Sequence, residues 1–387
     1  MARETKLLQT SFVALGVVAA FGVLAAELLA RAEPGLLPVA VQAMTGRRAV
    51  PRDRFYHDWH ATQVPDPALG FRHRPLLDVL LTGHPDFGYQ LRTNSRGLRT
   101  PVEDDPVDVV ALGDSFTFGY GVDERVAWPA QLARLSGLTV ANLGVSGFGP
   151  GSELAMLRAE GLRLQPRRVL WQFFANDLLD AASFAGWQSG GQGDFLAWER
   201  ERTLPEGDPP APIRLSLRGL LHRHFVSYEL AKWATRQGVY GPTRRPARWV
   251  DVDGGSMLLD ITQPSAWADR SDPHVRQGMA LTAEALAGAR DIAHDAGAEL
   301  LVVVAPTKEA VYWQGTAGER ELIERNDKWV AQVCAALAIP CLLLLPVFAS
   351  AARRGGPLYF SQDIHWNPAG HRLAAETIAR FFGESLP

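Results

Sequence analysis

Apolar and polar positions alternate in blocks between residues 107 and 383, and the blocks predict strands and helices in turn. Apolar runs typical of buried strands lie within 107–114, 138–147, 167–177, 298–308 and 339–348. Apolar residues with helical spacing occupy 127–137, 150–165, 274–297 and 318–338, and again the end of the chain. Strands that alternate with helices form βαβ units. The pattern therefore predicts an α/β fold, with a five-stranded parallel sheet in a three-layer α/β/α sandwich.

Two stretches break this regularity. Residues 31–105 are rich in proline, arginine and histidine, and we interpret them as an irregular linker and edge region with a few short strands and a turn at Asn94-Ser95. Between about 181 and 270, glycine, proline and tryptophan dominate, apart from one amphipathic helix predicted at 214–237. We therefore predict one domain over 106–386 with a long insertion. The tryptophans of that insertion either stack on sugar rings or pack a cap.

The N-terminal segment differs from the rest in having no charge between residues 7 and 26. Twenty apolar residues in a helix span about 30 Å, the thickness of a bilayer core. Arg3 and Lys6 precede the run and only Arg31 follows it closely, a bias that places the N-terminus inside. We predict a transmembrane anchor at 7–30, with the body of the protein outside the cytoplasmic membrane. A cleaved signal peptide ending near Ala30-Arg31-Ala32 is the alternative.

The amino-acid composition limits the kinds of ligand that we expect this chain to bind. The chain has 387 residues, 47% of them hydrophobic, and a net charge of −3. Because there is no basic excess, we do not expect nucleic-acid binding. Two histidine pairs, at 57 and 60 and at 222 and 224, have metal-ligand spacing but no accompanying ligands, so no metal or other cofactor is expected. Cys334 and Cys341 either pair or remain two buried thiols.

Residues suited to acyl transfer follow the predicted strands. Parallel sheets bind ligands at the carboxyl ends of their strands. The first strand ends in Gly113-Asp114-Ser115, and the loop after the fifth strand carries Asp363 and His365. A hydroxyl, an imidazole and a carboxylate are the groups that a serine nucleophile needs.

A second serine competes for the role of nucleophile. Ser146 lies in "GVSGF", which differs from the G-x-S-x-G elbow only because Phe148 replaces the last glycine. That glycine is required for the sharp turn, so the motif fails and we interpret Ser146 as a turn residue. Ser115 therefore remains the preferred nucleophile.

Four motifs resemble the blocks of the SGNH, or GDSL-type, hydrolases. They are "GDSF" (113–116), "NLGVSG" (142–147), "AND" (175–177) and "DIHWNPAGH" (363–371), and they occur in the family's order. The resemblance implies a flavodoxin-like SGNH fold, with Ser115 as nucleophile, His365 as base and Asp363 as its orienter. It also implies that the Gly147 backbone N–H and the Asn176 side chain help to bind the oxyanion.

The chain departs from the family pattern at two positions. Phe174 stands where the family usually has glycine, so a bulky side chain lies beside Asn176. The acid precedes the histidine by two residues rather than three; in an extended backbone, Asp363 and His365 would still point to the same face. This spacing, followed by tryptophan, is similar to that of membrane-anchored bacterial relatives linked to polysaccharide acetylation. We expect Asp114 to hold its turn by hydrogen bonds and His371 to pack or cap in the last helix.

The resemblance implies a function as well as a fold. We expect serine-dependent ester hydrolysis or acyl transfer on the outer side of the cytoplasmic membrane, acting on O-acetyl groups of carbohydrates. A polysaccharide O-acetyltransferase and a lipid esterase would use the same residues, so both stay open. A non-catalytic carbohydrate-binding or assembly factor is the alternative from another class, and the presence of Ser115, Asn176 and His365 disfavours it.

Overall fold

The structure is a computed structural model that describes residues 62–81, 86–190, 193–203, 247–253 and 255–384, with positions 25, 28, 55, 56 and 84. Contacts divide the chain into two units, the first containing 1–57, 80–89 and 208–241, and the second 58–79, 90–207 and 242–387. The main sheet belongs to the second unit. Within the described part of the chain, no helix has both the length and the apolar character needed to cross a membrane. The predicted anchor, apart from two positions, and the predicted helix at 214–237 lie outside the described residues.

The described elements follow one another in chain order. The strands are β1 Phe55–Tyr56, β2 Gln63–Asp66, β3 Gly70–His73, β4 Asp78–Leu81, β5 Tyr89–Arg92, β6 Val109–Leu112, β7 Val140–Asn142, β8 Arg168–Phe173, β9 Ala247–Val252, β10 Gly255–Asp260, β11 Glu299–Val304 and β12 Cys341–Leu343. The α-helices are α1 Ser115–Phe118, α2 Trp128–Ser136, α3 Pro150–Met156, α4 Asp177–Gly190, α5 Phe195–Thr203, α6 Thr262–Trp267, α7 Pro273–Asp295, α8 Lys308–Tyr312, α9 Ala317–Ile323, α10 Arg325–Ala336, α11 Leu345–Arg354 and α12 Pro368–Glu384.

The main sheet has five strands in the order β12-β11-β8-β6-β7. Every neighbouring pair in it is parallel. This confirms the predicted five-stranded parallel sheet, and the order is the doubly wound one of flavodoxin-like folds. Because β6 lies between β7 and β8, the loops after those two strands flank the loop that carries Ser115.

Side chains of the sheet enter two separate apolar layers, one on each face. On one face, Val110 and Leu112 of β6 pack in a cluster that includes Leu178 and Leu286 from helices α4 and α7. On the other face, Val109 and Ala111 join a cluster supplied by α2, α11 and α12. A strand covered on both faces needs apolar residues at every position. The unbroken run in β6 is therefore explained, and the three-layer sandwich is confirmed.

Three predicted elements have different bounds in the structure. The predicted strand at 339–348 ends at Leu343, because Pro346 fits the first turn of helix α11. The predicted helix at 318–338 is two helices, since Glu324 has ψ near 0° (φ −85°, ψ −1°) and separates α9 from α10. The predicted helix at 150–165 is α-helical only to Met156 and continues as a π turn and a 3₁₀ turn.

The predicted insertion at about 181–270 contains more regular structure than expected. Helix α4 extends nine residues beyond 181, and helix α5 follows it. Strands β9 and β10 form an antiparallel hairpin in which Trp249 pairs with Leu258. Alternation alone did not reveal this hairpin because its strands carry charged as well as apolar residues.

The region before the sheet contains the short strands that the sequence predicted. Strands β2 and β3 form an antiparallel pair, and the Asn94 side chain accepts hydrogen bonds from the N–H groups of Arg96 and Leu98, which closes the expected turn. Arg99, only 1% exposed, follows that turn. Its guanidinium donates to the carbonyl oxygens of Phe118, Gly119 and Val122. The edge region therefore supports the segment that follows helix α1.

Both cysteines are free thiols in the structure. Cys334, on α10, is buried, and Cys341, at the start of β12, is partly exposed. A hydrogen bond with Cys341 and burial raise the pKa of the Cys334 thiol. Of the two arrangements left open by the sequence, the structure has the unpaired one.

Candidate active site

Ser115 is placed by a tight turn at the carboxyl end of β6. Gly113 has φ +149°, and a Cβ there would lie 2.4 Å from the Thr117 hydroxyl and 2.7 Å from the Gln172 side-chain oxygen. Only glycine fits this position. The Asp114 carboxylate then accepts the N–H of Phe116 at 2.9 Å and caps helix α1. The expected turn-holding role of Asp114 is confirmed, and Ser115 becomes the first residue of the helix.

Three side chains form one chain of hydrogen bonds at this point. His365 Nε2 lies 2.7 Å from Ser115 Oγ, and His365 Nδ1 lies 2.6 Å from Asp363 Oδ1. A carboxylate can only accept, so the proton of a neutral imidazole sits on Nδ1 and Nε2 accepts the serine hydroxyl. The side chains of His365 and Asp363 are 13% and 14% exposed. This arrangement can remove a proton from the Ser115 hydroxyl.

The two-residue spacing between Asp363 and His365 works through a turn and not through an extended strand. Asp363 Oδ1 accepts the backbone N–H of His365 at 2.8 Å as well as its Nδ1–H. An aspartate that bonds to the N–H two residues later forms an Asx turn. One carboxylate oxygen therefore fixes both the backbone and the ring of His365, so the contact is made although the expected extended geometry was wrong.

Gly147 follows β7 in a tight turn. The N–H of Phe148 donates to the carbonyl of Val145 at 3.0 Å, and Gly147, at the third position of the turn, has φ +86°. This is the geometry of a type II turn, which requires glycine there. Gly147 is exposed at the edge of the sheet where Ser115 lies.

Asn176 follows β8, on the other side of β6. Its side-chain Nδ2 donates to Asp180 Oδ2 at 2.8 Å, and its Oδ1 is buried. Because an amide nitrogen carries two hydrogens, the bond to Asp180 leaves the second N–H for another acceptor. Asp180, which the sequence did not single out, thus fixes the orientation of the Asn176 carboxamide.

Ser146, the competing serine, is buried. Its Oγ has no hydrogen-bond partner within the described ranges, whereas Ser115 contacts the histidine. Phe148, the residue that breaks the elbow motif, is fully buried and packs edge-on against Phe71, with ring centroids 5.2 Å apart. The interpretation of Ser146 as a turn residue agrees with this geometry.

Aromatic rings line the interior beside the histidine. Phe174, the departure from the family's glycine, is 1% exposed; its ring lies 4.3 Å from that of Phe116 and 5.6 Å from that of Trp267. The Phe116 and Tyr120 rings lie 5.0 Å and 4.8 Å from the imidazole. The side chain of Phe174 therefore belongs to an aromatic layer under the site, which the insertion residue Trp267 completes.

A group of buried acids lies close to the same loops. Desolvation raises the pKa of Asp114, Glu153, Asp177 and Asp180, and repulsion between these carboxyls adds to the rise for the last three. The sequence analysis missed this group because nothing in the local pattern shows that Glu153, in a helix, faces Asp114.

The part of the chain that the structure describes contains no cluster of three or more His, Cys, Asp or Glu residues arranged to hold a metal.

Lys308 is a further residue that the sequence analysis missed. It begins helix α8, four positions after the last residue of β11, and its side chain is buried. Its ammonium contacts the segment that carries Asp363. One feature of the sequence could have revealed this residue. In "VVVAPTK", a lysine follows the carboxyl end of a buried strand, where a charged side chain is unexpected.

Two family models match the chain in succession. The model of the GDSL-like lipase/acylhydrolase family matches residues 111–252, which include Ser115, Gly147 and Asn176. The model described as SGNH hydrolase-like domain, acetyltransferase AlgX, matches residues 265–386, which include Asp363 and His365. The chain belongs to the SGNH/GDSL hydrolase family. The resemblance in sequence is thereby confirmed, and this SGNH hydrolase is an esterase or acyltransferase.

Solved structures similar to this SGNH hydrolase are distant. An acetylxylan esterase from Geobacillus stearothermophilus is 13% identical, covering 73% of this chain and 96% of that one, with a TM-score of 0.38. A GDSL-like lipase from Bacteroides thetaiotaomicron is 12% identical, covering 72% and 88%, with a TM-score of 0.36. These scores are too low to carry an argument. A search of curated proteins finds no match.

Proposed function

We propose that this SGNH hydrolase performs serine-dependent ester chemistry with Ser115 as nucleophile, His365 as general base and Asp363 as the residue that orients it. The observation that carries the proposal is the hydrogen-bonded chain, 2.7 Å from Ser115 Oγ to Nε2 and 2.6 Å from Nδ1 to Asp363. Nucleophile, base and orienter within hydrogen-bond distance are the geometric criterion for a catalytic serine.

The first half of the reaction acylates the enzyme. Ser115 Oγ attacks the acyl carbonyl carbon while its proton passes to His365 Nε2. The N–H groups of Ser115 and Gly147 and the Asn176 amide stabilise the negative oxygen that forms. The ester C–O bond then breaks, and the leaving alcohol takes the proton from His365. Throughout, the Asp363 charge stabilises the imidazolium.

The second half releases the acyl group. His365 takes a proton from an acceptor hydroxyl, whose oxygen attacks the acyl-serine, and then returns the proton to Ser115. Water as acceptor gives hydrolysis, and a sugar hydroxyl gives transfer. Transfer is supported by the description of the family model over residues 265–386, which names an acetyltransferase.

We propose O-acetyl groups of carbohydrates as the substrate class and the outer side of the cytoplasmic membrane as the location. The family model that names an acetyltransferase supports the first. The uncharged run at 7–26 and the basic residues before it support the second, with a single-pass anchor at 7–30. The alternatives are a lipid ester substrate and a non-catalytic module without turnover. The following experiment separates them.

The experiment compares Ser115→Ala with Ser146→Ala in the purified full chain. We expect Ser115→Ala to melt like the wild type and to lose both labelling by a fluorophosphonate probe and hydrolysis of a chromogenic acetyl ester. Ser146→Ala, the matched control, should keep both. Labelling that survives in Ser115→Ala would overturn the nucleophile, and a wild type that does not label would favour the module without turnover. To identify the donor and the acceptor, the wild type is assayed on acetylated polysaccharide with and without an acceptor glycan. A parallel assay offers a lipid ester.

A further inference from the structure

Lys308 is a buried cation next to the proposed catalytic loop. The side chain is 1% exposed. Its Nζ donates to the carbonyl oxygens of Phe360 and Ser361 at 2.8 Å each and of Asp363 at 3.1 Å. An ammonium has three N–H donors, and these three carbonyls match them in number. All three belong to one short stretch of chain, residues 360–363.

That stretch has little regular structure to hold it. Residues 361–365 form bends within the loop that an isolated bridge between Tyr359 and Trp366 closes. The hairpin of β9 and β10 supplies further ties, because the Leu258 N–H donates to the Ser361 carbonyl at 2.8 Å and the Ser361 hydroxyl donates to the Ser256 carbonyl at 2.9 Å. Lys308 bonds to three carbonyls of the stretch at once.

Burying the Lys308 ammonium costs free energy, which indicates that this side chain does more than fill space. Moving an ammonium out of water is expensive unless hydrogen bonds compensate, and an apolar side chain of the same length would fill the volume without that cost. An apolar side chain would leave three partly buried carbonyls without this donor. The ammonium is therefore suited to fixing the path of the backbone at 360–363.

We propose that Lys308 is a positioning residue that holds the loop carrying Asp363 and His365 against Ser115. The inference rests on the proposed function of those three residues. Asp363 orients the imidazole through its side chain, and Lys308 fixes the backbone from which that side chain projects. Because Lys308 is buried and contacts main-chain oxygens, its loss should slow the chemical step more than it weakens substrate binding.

The test is Lys308→Met in the full chain. A displacement of about 1 Å in a catalytic group can cost about 10²-fold in rate, so we expect kcat and the rate of fluorophosphonate labelling to fall by about that factor while KM changes little. In proton NMR, the hydrogen-bonded Nδ1–H of His365 should give a far-downfield resonance in the wild type. That resonance should broaden or vanish in Lys308→Met.

Two control variants separate positioning from a general loss of stability. Lys328→Met removes a lysine whose side chain is 58% exposed and pairs with Glu324, so it should keep both kcat and the resonance. Leu286→Ala removes apolar contacts in the layer on the other face of the sheet. It should lower the melting temperature without the selective fall in kcat. If Lys308→Met and Leu286→Ala lose activity in parallel with their stability, the positioning role is overturned.

The remaining outcomes are also decisive. A folded Lys308→Met enzyme with wild-type kcat overturns the inference. If Lys308→Met does not fold, Lys308→Arg replaces it: a planar guanidinium cannot reproduce all three bonds, so the same fall in kcat is expected, and an unchanged kcat overturns the inference. Ser115→Ala separates this test from the proposed function, because survival of activity there would overturn the function itself, whatever Lys308→Met does.

Discussion

Asp363 offers the sharpest test of the hydrogen-bonded chain, because a single one of its oxygens makes both bonds to His365. Oδ1 accepts the Nδ1–H at 2.6 Å and the backbone N–H at 2.8 Å. An asparagine at this position can place its carbonyl oxygen where Oδ1 lies and accept both bonds. Asp363→Asn should therefore keep the ring orientation and the tautomer and lose only the charge, whereas Asp363→Ala loses the orientation too.

The magnitudes follow from this difference. In the transition state the imidazolium lies about 4 Å from the carboxylate charge, and at an effective dielectric constant of about 20 that attraction is about 4 kcal/mol. Losing it corresponds to a fall of about 10³ in kcat. The small exposure of both side chains, 13% and 14%, limits screening by water. Removing the orienter as well should bring the loss in Asp363→Ala to about 3 × 10⁴.

The assay is hydrolysis of a chromogenic acetyl ester under saturating substrate, with thermal melts of each variant. Asp363→Asn should lie between the wild type and Asp363→Ala in kcat. Equal losses in the two variants would refute the shared-oxygen explanation. A folded Asp363→Ala enzyme with near-normal kcat would remove Asp363 from the site altogether.

Four further outcomes are expected. Asn176→Ala should remain folded, with kcat lower by about 10²–10³ and KM little changed; a near-normal kcat would show that the amide is not an oxyanion donor. Burial, with the Asp114 carboxyl nearby, raises the pKa of Glu153 well above its usual value, so the contribution of Glu153 to stability should be lost as pH rises above about 5, and Glu153→Gln should melt higher than the wild type at pH 8 but not at pH 4. Burial, with Arg99 nearby, lowers the pKa of His371 from 6.5 to about 3, so the contribution of His371 to stability should fall as pH drops below 6.5, by about 3 kcal/mol at pH 4; melts of His371→Gln should show a weaker acid dependence, and an unchanged slope would contradict this cause. A reporter enzyme active only in the cytoplasm, fused after Pro387, should be silent, and a strong signal would contradict the proposed location.

The central strands could be predicted from the sequence because they are buried on both faces. Val109 to Leu112 has to be apolar at every position, and such a run is hard to mistake. The run from Cys341 onward was ambiguous, because four consecutive leucines are compatible with a strand and with a helix. The strand ends at Leu343 because helix α11 begins at Leu345, with Pro346 in its first turn.

The candidate site was predictable where its residues lie in short motifs and unpredictable where they meet through the fold. Ser115 and His365 are 250 positions apart, yet each lies in a motif that could be recognised by itself. Asp180 and Lys308 belong to no such motif. The role of Lys308 depends on the carbonyls that the tertiary structure brings to it, whereas Asp180 reaches the Asn176 carboxamide from four positions further along the chain.

The buried guanidinium of Arg99 has a practical consequence for making the protein. Both family models begin after it, at residues 111 and 265, so a truncated protein designed on their bounds, or on a domain starting at 106, would omit it. The carbonyls of Phe118, Gly119 and Val122 would then lose a charged donor just downstream of the nucleophile turn. Recombinant versions should start before strand β2, and an inactive product from a shorter one would reflect the choice of first residue and not the chemistry of the enzyme.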